Sequence, residues 1–65
     1  MKLAAMKDHY NEDNMLSYIE CTDAVTGEHI FDAEWAPQEE HSIENIMEFR
    51  KFTIAMLKRK DYEVR

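Results

Sequence analysis

The chain has 65 residues, of which 45% are hydrophobic and 34% charged, and a net charge of −6. A chain this short makes one domain (1–65) that buries only about 60% of the surface its unfolded form exposes; the lone Cys21 excludes an internal disulfide, and the mixed composition excludes a disordered chain. Lys7 interrupts the opening apolar run before it reaches the length of a signal-peptide core or membrane span, so a cytoplasmic protein with no membrane partner is expected, in keeping with an unpaired thiol.

Residues 1–14 carry Leu3, Met6 and Tyr10 among polar neighbours and are expected to supply an additional strand or short helix; either they fold back over the second stripe of the helix described below or an intermolecular contact covers it. Residues 15–36 read as a β-hairpin turning at Ala24-Val25-Thr26-Gly27, because the one glycine supplies the positive φ that closes a short loop. Pairing Asp23 with Glu28 sets a register in which Thr22 faces His29, Cys21 faces Ile30, Glu20 faces Phe31, Tyr18 faces Ala33 and Leu16 faces Trp35. Alternation then collects Leu16, Tyr18, Phe31, Ala33 and Trp35 as a core layer. The opposite face carries Met15, Ile19, Cys21 and Ile30 beside Ser17, Asp32 and Glu34, half apolar and half charged.

Pro37 ends the second strand, and a long amphipathic helix is expected to start between Pro37 and Ser42 and to run to about Lys60 (about 38–60). Glu39, Glu40, Glu44 and Glu48 lie toward its positive end and Lys58, Arg59 and Lys60 toward its negative end, as the helix dipole favours. At about 100° per residue, Ile43, Ile46, Met47, Ile54 and Leu57 share a stripe with Arg50 among them, and Phe49, Phe52 and Met56 form a second stripe. The final Asp61–Arg65 is long enough for a short edge strand without dictating one. The fold class is therefore α+β, a hairpin packed on one long C-terminal helix.

Charge is distributed unevenly. From Asp8 to Glu48 there are twelve Asp and Glu residues and no Lys or Arg, while the flanking segments are net basic. A phosphate backbone is repelled by such a segment, so no direct nucleic-acid contact is expected, and no glycine-rich phosphate loop is present. His9, His29, His41 and Cys21 lack zinc-site spacing, and nothing places Ser17, Ser42 or Cys21 beside a histidine and an orienting carboxylate. No catalytic, cofactor or metal residues are expected.

What remains is binding. The second helix stripe (Phe49, Phe52, Met56) and the greasy part of the sheet (Ile19, Ile30) are candidate protein-binding residues, and Asp32, Glu34, Glu39, Glu40, Glu44 and Glu48 form a candidate acidic surface. Together they suit a small non-enzymatic regulator or inhibitor, of the kind phages and mobile elements encode, that occludes a larger partner with a basic or nucleic-acid-binding surface. In its sharper form the carboxylates mimic DNA phosphates. The alternative is a homo-oligomeric structural or regulatory subunit, such as a homodimer, associating through the second stripe.

Overall fold

In the computed structural model, which describes residues 1–64, the hairpin turn lies where Asp23 and Gly27 predict it. Gly27 has a φ of 80°. Its N–H donates to the Asp23 carbonyl at 2.8 Å, while the Asp23 carboxylate accepts from the N–H groups of Val25 (2.9 Å) and Thr26 (3.0 Å). Those two amides hold the Asp23 carboxyl below its ordinary range.

The turn joins β2 (Leu16–Asp23) to β3 (His29–Glu34). The N-terminal segment is the strand β1 (Lys2–Tyr10), and the chain continues through the helix α1 (Ile43–Arg59) to a short strand β4 (Tyr62–Val64). The sheet order is β3-β2-β1-β4, antiparallel except for the parallel β1–β4 pair. Hairpin and helix thus belong to a four-stranded mixed sheet covered on one face by one helix, an α+β fold. β1 does not fold back over the second helix stripe; it inserts into the sheet and pairs with β2 from Ala4 to Tyr10. The short edge strand that the last five residues left undecided forms over Tyr62–Val64, and Arg65 lies outside the described residues.

The hairpin register departs from expectation after its first pair. Thr22 does face His29, but the pairs beyond are Cys21 with Phe31, Glu20 with Asp32, Ile19 with Ala33 and Tyr18 with Glu34. A β-bulge at this point leaves Ile30 as an extra residue, and a one-residue slip exchanges the two faces of a strand. The core layer is therefore Ile19, Cys21 and Ala33 with Phe31 packed against them, and Tyr18 turns to the opposite, outer face beside Glu20 and Glu34. A second irregularity, where Tyr10 faces Leu16 but His9 faces Tyr18, adds Ser17 to β2 and returns Leu16 to the buried side. Burial of Ile19 and Cys21 is complete, both 0% exposed, so neither belongs to an open surface.

The helix begins later than position 38. Ser42 is its N-cap, its hydroxyl accepting from the Asn45 N–H at 3.1 Å, so Glu39 and Glu40 lie in the preceding loop and only Glu44 occupies the first turn. Thr53 and Leu57 are buried, with Ile46 and Phe49 packed against the same cluster. The sheet-facing stripe is thus Ile46, Phe49, Arg50, Thr53 and Leu57. Ile43 (78% exposed) and Met47 (54%) have rotated out of it, and Phe49 has rotated in. Thr53 tolerates burial because its hydroxyl donates to the Phe49 carbonyl at 2.8 Å.

Candidate functional site

Trp35 follows β3 directly, its N–H donating to the Ser17 carbonyl at 3.0 Å, so the indole is held at the end of the sheet. Its ring nitrogen donates to the Glu39 carbonyl at 2.9 Å, and the His41 ring stacks on it with centroids 4.3 Å apart. His41 in turn bonds the Leu16 carbonyl through Nε2 at 2.8 Å. The loop of residues 36–42 is therefore wound around the indole, which keeps the chain from helix until Ser42. From α1, Phe49 meets the indole edge-on at 5.0 Å.

Between loop and helix lies a hollow of about 280 Å³ whose apolar floor is Trp35, Phe49 and Phe52 and whose rim carries Glu34, Glu39 and Glu48. Phe52, 60% exposed, is the outermost part of that floor. Among the described residues no Lys or Arg lines it; the rim residue Glu48 is paired with the exposed Lys51 at 3.6 Å, which water screens. The Glu39 and Glu48 carboxylates beside an apolar floor, with Glu34 on the adjoining strand edge, set up a negative potential over a surface that gains by losing water.

The structure brings together some expected residues and separates others. Phe49 and Phe52 share the hollow with Glu34, Glu39 and Glu48. Met56 is half-buried on the same flank of α1 without lining it. Ile19 belongs to the core, a correction to its place among surface residues, and Ile30 is the bulge residue, half-buried against that core. Asp32 lies on the outer face of β3, bonded to His29 at 2.9 Å; Glu40 and Glu44 are exposed but stand away from the hollow.

Two features escape a reading by periodicity. Trp35 is the floor of the hollow as well as a core residue; its position directly before Ala36-Pro37, where strand pairing must stop, was the available signal. The second is an ion pair. Asp8 faces Ile19, which puts a carboxylate on the buried side of the sheet, and Arg50 reaches down from α1 to take both its oxygens, one at 3.0 Å. The Tyr10 hydroxyl donates to the same carboxylate at 3.2 Å. The Arg50 guanidinium holds the Asp8 carboxyl below its usual range despite partial burial. An arginine within an apolar helix stripe was the sign that an acid had to meet it.

Cys21 is buried, and desolvation, with Asp32 and Glu20 nearby, pushes its thiol up to about 11, so it is a poor nucleophile. On the outer face His9 stacks on Tyr18 (4.4 Å) and bonds Glu20 at 2.8 Å. Among the described residues no three His, Cys, Asp or Glu side chains converge as a metal site requires, and no helix is long and apolar enough to cross a membrane. No family model matches the chain, and neither a curated protein nor a solved structure matches it.

Proposed function

We propose that this chain is a non-enzymatic acidic binding module that docks on a basic surface of a larger protein and occludes it, acting as a regulator or inhibitor. The observation that carries the reading is the hollow in which Glu34, Glu39 and Glu48 surround Trp35, Phe49 and Phe52. Apolar contact supplies affinity in such an arrangement, and the carboxylates steer and orient the partner. Asp32 and Glu44 extend the same negative field along β3 and the first turn of α1.

The test uses the intact chain as bait in an extract of its native host, with the retained protein identified and then purified. A basic partner is expected, its affinity falling at least tenfold between low and high salt and again on combining Glu39→Lys with Glu48→Lys. A partner held equally under all these conditions would overturn the reading. Self-association is the second reading, favoured by Ile43 and Met47 one helical turn apart and both exposed. A molar mass by light scattering that rises with concentration toward twice that of the 65-residue chain would favour it.

A further inference from the structure

Resting on the binding reading above, we infer that the free edge of β3 accepts an extended segment of the partner as a fifth strand, one whose residues alternate between Lys or Arg and apolar side chains. Among the described residues β3 is an edge strand, paired with β2 on one side and with no strand on the other. The direction of its backbone groups follows from the bond beyond its end, where the Trp35 N–H donates to the Ser17 carbonyl on β2. In an antiparallel ladder alternate residues point to the same neighbour. Ala33 and Phe31 therefore turn their N–H and C=O groups to Ile19 and Cys21, and Asp32 and Glu34 turn theirs to the unpaired side. That edge offers two donors and two acceptors in the spacing an added strand needs.

The side chains specify what the added strand carries. Cross-strand neighbours share a face, so residues set against Asp32 and Glu34 lie on the outer face beside two carboxylates, where Lys or Arg is favoured and an acid is repelled. The intervening residues project to the helix side, where Phe31 and Ala33 line the sheet and the hollow of Trp35, Phe49 and Phe52 opens at the end of the strand. Glu39 and Glu48 on the rim favour a further cation there. The same charges argue against a second copy, since β3 laid antiparallel on β3 sets carboxylates against carboxylates.

Trp35 is the chain's single tryptophan and lines the hollow, so its emission reports occupancy. The full chain is titrated with a seven-residue capped peptide alternating lysine and valine. Parallel titrations use the same peptide N-methylated at every second backbone nitrogen, in each of the two phases, and an isomer with lysines and valines in separate blocks. The expected result is a saturable change in Trp35 emission, amide hydrogen exchange at Asp32 and Glu34 slowed at least tenfold, and binding weakened at least tenfold by N-methylation in one phase only. Binding that tolerates both N-methylated phases within twofold, or that leaves exchange at Asp32 and Glu34 unchanged, overturns strand addition while leaving the acidic hollow as a docking site. If the alternating peptide fails and the block isomer binds, strand addition is again overturned alone. If no cationic peptide changes Trp35 emission, both this inference and the hollow's part in the binding reading fail.

Discussion

The two halves of α1 do different work. In the C-terminal half Thr53 and Leu57 are fully buried, Leu57 in one cluster with Ile19, Cys21 and Ala4, and the Lys60 N–H closes the helix on the Leu57 carbonyl before Asp61, at a φ of 66°, turns the chain into β4. Toward the N-terminal end Ile43 and Met47 stay exposed, as does Phe52 just past the middle, and the half-buried Ile46 and Phe49 are helped by polar contacts: the Ser42 cap, the His41 bond to Leu16 and the reach of Arg50 to Asp8. A small domain has too little apolar surface to seal every flank of a helix. Here the seal is at the end closed by β4, and the unsealed apolar surface is at the end surrounded by acids.

The largest effect that sharpens this contrast is Leu57→Ala. Removing a fully buried leucine costs about 2–5 kcal/mol, and a domain this size has roughly 3–10 kcal/mol in all at typical stability per residue. Urea denaturation followed by circular dichroism should show on the order of half of the chain's stability lost. A loss under about 1 kcal/mol would mean that the C-terminal half is not the sealed end.

Next comes Asp8→Asn, which removes an ion pair that is only partly shielded from water and leaves Arg50 without its acid, for a loss of about 1–2 kcal/mol at neutral pH. The sign with pH follows from the lowered carboxyl of Asp8. The folded state holds this group's proton more weakly than the unfolded state does. The stabilisation is therefore complete above the ordinary carboxylate range and is lost as pH falls through the lowered value. Denaturation midpoints across acid pH should fall less steeply for Asp8→Asn than for the parent, and parallel curves would remove Asp8 from the acid response.

How much of this was legible in the sequence depends on which physical signal each element carries. The turn was legible because one glycine and one aspartate act locally, and the helix was legible because seventeen residues repeat their pattern often enough to average out exceptions. The bulges at Ile30 and Ser17 were not, since a bulge adds one residue without altering composition, and each exchanged the face of every residue beyond it. That is how Ile19 came to be read as surface and Tyr18 as core. β1 was ambiguous because its buried positions are Ala4 and half-buried Met6 with a charge, Asp8, a pattern weak in either period until Arg50 is placed above it. The hollow combines Glu34, Glu39 and Glu48 through a loop whose path is set by Trp35 and His41, a long-range arrangement no local spacing records.

Ser42→Ala probes the N-terminal half alone. Losing the hydroxyl that accepts from Asn45 should cost about 1 kcal/mol and fray the first turn, seen as faster amide exchange at Asn45 and Ile46 with little change at Leu57. Equal acceleration at both ends would show that α1 opens as one unit, and the contrast between its halves would not extend to its dynamics.

The smallest effects on stability separate the two exposed flanks of the helix. Met47→Gln and Phe52→Gln each replace a side chain more than half exposed, so both should stay within about 0.5 kcal/mol of the parent. They should differ in binding. Phe52 lines the acidic hollow, and Met47 lies on the opposite flank of the helix, outside that hollow. Phe52→Gln is expected to weaken capture of a basic partner at least tenfold and Met47→Gln by less than twofold, read by the same titration. The reverse order would move the contact surface to the Ile43–Met47 flank and favour a second copy of the chain as its occupant.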